Sequence, residues 1–383
     1  MKETQRTALS LAVLCTTAWA FPGSGQTPTI PIRYEPTCRT CTIVMTKVAT
    51  LGSASESASP FYSPSLARDS RGRFFAIGER RDVVLVYGED GRLLRTFGRL
   101  GQGPGEFAPP GISGLSIGRG DTLYVLDRGL NLSVFSPALT FVRTERMPGA
   151  VSGAVILPDG RIVLNTRLGR PKTAGYPFHL VDAKGNVVRS LGEERALLPN
   201  EIDPSPEPLV VDPTGRTLWT GSFNYQLREW PLSGERGLWF EVMDVPWLPK
   251  LPPPSPRLRT QRSTPQTPSS LRGTIDAMNA HAESLRTAPG AIAASPPAMR
   301  IIGVDRNGLL WVQGSYPNPS GNSTVSVLEV IDPRLRQLLV SRPLTIAQSR
   351  SLRLLPNQSL AYSTEEESDG FIRVNVWRLE LQR

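Results

Sequence analysis

Imidazole chemistry in this 383-residue chain rests on two residues, His179 in YPFHLVD and His281 in NAHAESL. Neither an H-E-x-x-H helix nor a Walker loop accompanies them, so a zinc-protease pair and a phosphate cradle cannot be assigned. His179 sits in a strand-like run and reads as a packed ring. The acidic run Glu365 to Asp369 in STEEESDG holds carboxylates enough for a cation, but such a run is usually a solvated surface. No arrangement of residue types names a reaction.

The reading of the thiols depends on where the chain is delivered. Lys2 and Arg6 precede the apolar run Ala8 to Cys15, and Ala18-Trp19-Ala20 gives the small-x-small pattern for cleavage before Phe21. This predicts a signal peptide over residues 1–20. Its removal leaves Cys38 and Cys41, a C-x-x-C pair followed by Thr42 rather than His, which excludes covalent haem attachment. Two thiols do not fill a four-ligand zinc site. A small structural disulfide in an oxidising compartment is the favoured reading, with a reduced pair and a redox-active pair as alternatives. Past the N-terminus no apolar run approaches the roughly 20 residues of a membrane helix. The mature chain is expected to be periplasmic or secreted, with no transmembrane segment.

Positioning of any site falls to a repeated element. Six times an apolar strand, a short polar turn and a second apolar strand recur, with the turns DSRGR, GRGD, PDGR, DPTGR, DRNG and PNQS. Five turns carry Gly, at 72, 120, 160, 215 and 308, and the sixth carries Asn357; both residue types suit the backbone of tight turns. The glycine spacings are 48, 40, 55 and 93 residues, against a propeller repeat of roughly 40 to 50. The long interval contains a Pro-rich, partly helical insertion at 246–300. After each turn come two further strand-like runs, such as Val83 to Tyr87 and Leu93 to Phe97. Four strands in each of six units predict an all-β, six-bladed propeller of antiparallel blades. The last unit has room for three strands, and Thr42 to Gly52 matches the outer strands that end in RTFG and RSLG. That segment is expected to pair with the last blade and close the ring. The organisation is then a signal peptide (1–20), a linker carrying the C-x-x-C pair (21–41) and a propeller (42–383).

One unit carries a fuller pattern: Gly101, Gly103-Pro104-Gly105-Glu106-Phe107, then Leu123-Tyr124-Val125-Leu126-Asp127, Asn131, Val134 and Phe135. In these residues the chain resembles NHL-repeat and TolB-like six-bladed propellers, in particular secreted bacterial propellers of unassigned function. The resemblance is strong over one blade and thins to a turn-and-strand pattern elsewhere. It implies the fold and leaves the activity open. Six-bladed lactonases hold calcium with channel-lining Glu, Asn and Asp, so a channel-sited hydrolase or lyase using Ca2+ or another divalent cation is the alternative to a protein without a cofactor.

Blade topology locates the working face. The first and third connections of each blade, at one face, are short and stereotyped; those at the other face are long and irregular. Binding residues concentrate on such loops, which makes Arg80, Arg81, Asp127, Arg128, Asn131, Arg167, Tyr225 and Tyr316 the candidate ligand contacts. The insertion joins this face, and apolar residues recur at helical spacing over 270–286, as in a lid or a packing helix. Lys and Arg number 43 against 34 Asp and Glu, a formal charge of +9, dispersed rather than gathered in a nucleic-acid stripe. The expectation is a monomeric, exported binding module for a protein, peptide or anionic envelope polymer, with no catalytic residues and no metal site.

Overall fold

The continuous apolar runs of the sequence become the middle strands of six small sheets. The computed structural model describes residues 29–52, 60, 65–148, 151–157, 159–166, 168, 176–192, 209–222, 225–246, 298–317, 324–345, 352–356, 359–366 and 371–383. The predicted signal peptide, Arg167, His281, Glu367 to Asp369 and the expected helix over 270–286 lie outside them.

Two strands precede the blades, β1 (Thr29–Arg33) and β2 (Thr42–Leu51). Blade 1 is β3 (Ala67–Arg68), β4 (Phe74–Ile77), β5 (Val84–Tyr87) and β6 (Leu93–Phe97). Blade 2 is β7 (Ile112–Ile117), β8 (Leu123–Asp127), β9 (Asn131–Phe135) and β10 (Phe141–Arg146). Blade 3 is β11 (Val151–Ile156), β12 (Ile162–Thr166), β13 (Phe178–Val181) and β14 (Val187–Leu191). Blade 4 is β15 (Val210–Val211), β16 (Thr217–Ser222), β17 (Gln226–Pro231) and β18 (Trp239–Met243). Blade 5 is β19 (Ala298–Val304), β20 (Leu310–Pro317), β21 (Thr324–Asp332) and β22 (Gln337–Leu344). Blade 6 is β23 (Arg353–Leu354), β24 (Leu360–Glu366) and β25 (Ile372–Gln382). Within every blade, consecutive strands pair antiparallel in chain order.

Burial follows position in the blade. In blade 1, β4 (FFAI) and β5 (VLVY) bury every side chain, whereas the outer β6 (LLRTF) is largely exposed. Successive side chains of a strand point to opposite faces. Phe74 and Ala76 therefore enter a cluster shared with blade 6 (Leu51, Tyr362, Val376), while Phe75 and Ile77 enter one shared with blade 2 (Ile112, Val125, Phe135). Packing on both faces makes these runs continuous rather than alternating. Each large side chain so buried contributes roughly 1.5–3 kcal/mol. Equivalent clusters join blades 2 and 3 through Leu126 and Ile162, 3 and 4 through Leu180 and Leu218, 4 and 5 through Phe240 and Val312, and 5 and 6 through Trp311 and Leu379. Every neighbouring pair of blades thus shares a core, and the six form a closed ring.

The tight turns are built by their aspartates. Asp69 Oδ1 accepts the amides of Arg71 and Arg73 at 3.1 and 2.9 Å, Asp182 accepts those of Lys184 and Asn186, and Asp305 those of Asn307 and Leu309. Gly72 (φ +86°) and Gly215 (φ +70°) take the left-handed positions that follow.

Residues 29–51 pair with the outer strands of the blades. β2 lies antiparallel on β25, from Thr42 opposite Gln382 to Leu51 opposite Val374, and is the fourth strand of blade 6. β1 pairs in parallel with β18, adding a fifth strand to blade 4. Pro31 argues against a strand in TIPIR, but proline is tolerated at a sheet edge, where its missing N–H leaves no ladder bond broken. Between β1 and β2 the amides of Thr37 and Cys38 donate to the carbonyls of Leu338 and Leu339 on the outer strand of blade 5, at 3.0 and 3.1 Å. Cys38 and Cys41 form a disulfide with Cα atoms 5.3 Å apart, and Cys41 packs into the cluster between blades 5 and 6. The segment straps three consecutive blades along their outer edges.

Candidate functional site

The antiparallel order puts the β4–β5 and β8–β9 connections and the link from β6 to β7 at one face, next to one another. Arg80 and Arg128 are exposed there, and Arg81 is half-buried in a left-handed conformation (φ 60°). The carbonyl of Arg81 accepts the amide of Ile112 at 2.8 Å, and the amide of Arg128 donates to Gly111 at 2.9 Å, so the two loops lean on the same segment. Burial first and the Arg128 guanidinium second hold Arg81 below the ordinary arginine value. Arg146 Nη1 donates to Asn131 Oδ1 at 3.1 Å and also to the Gly129 carbonyl, which adds a fourth guanidinium to the group.

Two of the expected ligand contacts turn inward. Asp127 is 2% exposed, and its carboxylate accepts the amides of Ala108 and Asn131, both at 2.9 Å, and Asn131 Nδ2 at 3.0 Å. It braces the blade-2 entry and presents nothing to solvent. Tyr225 is fully buried, with its hydroxyl donated to Glu329, because the residue at the start of β17 points between blades 4 and 5. Tyr316 is half-buried near the end of β20, opposite Val325. Arg80, Arg81, Arg128 and Asn131 are brought together; Tyr316 is on a distant blade.

Glu329 interrupts the apolar run VLEVID of β21 and is 0% exposed. It accepts hydrogen bonds from the hydroxyls of Tyr34, Tyr225 and Ser341, the last at 3.1 Å. Burial pushes it up from 4.5 to about 7, against the opposing pull of the Tyr34 and Ser341 hydroxyls. A carboxyl so enclosed reaches no solute. It latches the N-terminal strap to blades 4 and 5.

The inner strands enclose a central channel. A cavity of about 270 Å3 is lined by, among others, Ser65, Ser113, Ser116, Asn165, Arg353 and Tyr362. Leu66, Leu115, Ser116 and Pro356 continue it into a funnel of about 620 Å3 at the tight-turn face, where Arg119, Arg306 and Arg378 stand. Ser116 falls in the spacing G-x-S-x-G (Gly114 to Gly118), but it lies inside β7 and not on the strand-to-helix turn that a nucleophile elbow needs. His179, on β13, is buried with Nδ1 2.9 Å from Ser190 Oγ and Nε2 3.2 Å from the Thr166 carbonyl. Burial lowers its proton affinity more than the neighbouring carbonyls raise it. Among the described residues no group of three His, Cys, Asp or Glu is placed to hold a metal.

Beside the cavity lies the arginine pair that sequence reasoning missed. Arg300 on β19 is half-buried, and its Nε and Nη2 donate to Gln313 Oε1 at 3.1 and 2.6 Å. Burial, then the nearby Arg353 guanidinium, bring Arg300 down to about 10, with Tyr362 opposing. Tyr362 stands opposite Arg353 across the β23–β24 pair, and burial pushes its phenol up to about 12.

Solved structures share this architecture. A Bacteroides fragilis protein whose name calls it exported superposes with a TM-score of 0.58 at 9% identity, over 93% of this chain and 100% of its own. A member of the duf4221 family from Bacteroides vulgatus gives 0.54 at 11% identity, over 89% and 99%. At such identities the likeness is one of fold. No protein-family model matches the chain, and no curated protein matches it in sequence.

Proposed function

We propose that this propeller is an exported recognition module that binds an anionic envelope polymer on its irregular face, without catalysis. The observation that carries the reading is the convergence of Arg80, Arg81, Arg128 and Arg146 at the junction of blades 1 and 2, where Arg81 and Arg128 are close enough to repel. Among the described residues no ion pair engages Arg80, Arg128 or Arg146, so their fields act outward. Guanidinium forks suit carboxylate and phosphate groups, and the +9 formal charge adds long-range attraction. The signal-like N-terminus supplies the route to such a polymer.

Polygalacturonate immobilised on a sensor tests this. The wild-type protein binds at low ionic strength and weakens steeply with salt, and an Arg80→Gln/Arg81→Gln/Arg128→Gln variant loses at least tenfold in affinity. Equal binding of wild type and variant, or equal binding to neutral dextran, contradicts the reading.

A further inference from the structure

The central channel holds a second, separate arrangement. Its wall, among the described residues, carries one charged side chain, Arg353, and no carboxylate. Near it, within reach of the Arg353 charge, the half-buried Arg300 finds among the described residues one hydrogen-bond acceptor, the neutral amide oxygen of Gln313. No described carboxylate pairs with either guanidinium. Two other partly buried cations do meet acids: Arg73 pairs with Asp69 at 2.7 Å, and Arg68 with Glu89 at 2.7 Å. A buried cation without a counter-charge is costly, and a second cation beside it raises the cost. An incoming anion removes both penalties at once.

The groups around the pair fit a carboxylate. Arg353 offers a planar fork of donors for two oxygens. Tyr362, enclosed against the Leu66 backbone, keeps its proton through the neutral range and so remains a donor. Ser113, Ser116 and Asn165 line the same cavity and offer hydroxyls and an amide to the uncharged part of a ligand. A volume of about 270 Å3 lies just under the usual range for small-molecule cavities, which limits the occupant to about a dozen heavy atoms. Arg119, Arg306 and Arg378 line the funnel that leads in, and among the described residues its one acid, Asp69, is held by Arg73. The entry therefore draws anions toward the pair.

We propose that the channel is a binding site for a small organic carboxylate, gripped by Arg353 and Arg300 with Tyr362 as an additional donor. This site is distinct from the rim patch and does not depend on it.

Calorimetric titration of the full chain at low ionic strength with succinate, D-glucuronate, inorganic phosphate and glucose tests it. At least one of the two carboxylates is expected to bind with one-to-one stoichiometry and to raise the melting temperature, while glucose does neither. Arg353→Gln is expected to weaken that binding tenfold or more, and Tyr362→Phe severalfold. Arg128→Gln, on the rim, is expected to leave it unchanged, so failure here and failure of the polymer reading are told apart. Because Arg300→Gln alters a half-buried group, its melting temperature is read without ligand: an unchanged or raised value with weakened carboxylate binding supports the site. Absence of binding by both carboxylates at millimolar concentration overturns the proposal. So does phosphate binding alone, or carboxylate binding indifferent to Arg353→Gln.

Discussion

Blade 2 and the channel side of blades 5 and 6 treat charge in opposite ways. At the blade-2 entry Asp127 takes three donors, and Glu106 takes the amide of Gly103 at 2.8 Å and Arg99 Nε at 2.6 Å. Every carboxylate there has found its partners inside the protein. At the channel, Arg300 and Arg353 are near enough to repel and answer to no acid among the described residues. A satisfied charge holds the fold together, whereas an unanswered one is a cost that a ligand can relieve. By this contrast GPGEF and Asp127, which carry the resemblance to other propellers, are scaffold, and two arginines in unremarkable apolar strands join the rim arginines as candidates for function.

Substitutions can sharpen or break this contrast. The largest effect is expected at Phe107, fully buried with its ring tilted against Phe135 at a centroid distance of 6.2 Å, where Phe107→Ala should cost about 4 kcal/mol in urea denaturation. A cost near zero would show that the blade-2 entry does not brace the ring.

Glu329 supplies a pH test. Its folded value of about 7 lies above the ordinary 4.5, so folding favours the protonated form. The stabilisation is complete below about pH 4.5 and is lost as pH rises through about 7, a fall of at most about 3 kcal/mol. Denaturation midpoints across this window should slope downward for the wild type and lose this component in Glu329→Gln. Parallel slopes for the two proteins would mean that the carboxyl is ionised in the latch.

Asp127→Asn keeps the shape of the brace but weakens its acceptor, and about 2 kcal/mol should be lost. At the small end, Arg143 and Glu145 pair at 3.0 Å on the exposed β10, and Arg143→Ala should change stability by about 0.3 kcal/mol.

Much of the fold was legible in the chain. Turns such as DSRGR and DPTGR announce themselves through Asp69 with Gly72 and Asp212 with Gly215, because an aspartate that accepts its own turn amides and a glycine at positive φ are local requirements. The runs FFAI and VLVY mark strands packed on both sides. What was illegible depended on distant partners. Pro31 disguised β1, whose pairing with β18 joins residues more than two hundred positions apart. Asp127 sits where a loop begins and Tyr225 where one ends, but the direction of each side chain is set by the segment it meets, Ala108 in one case and Glu329 in the other. The channel arginines lie in AMRIIGV and SLRLL, where each passes for a charge at the end of an apolar strand; only ring closure brings them together. A lone glutamate in VLEVID was the one local sign of the latch.

Denaturation of Arg353→Met and Asp127→Asn in one buffer, without ligand, tests the contrast most directly. The prediction is opposite signs: Arg353→Met more stable than the wild type, since it relieves Arg300 of a like charge, and Asp127→Asn less stable. Loss of stability in both by similar amounts would contradict it, because Arg353 would then be held by the fold as firmly as Asp127.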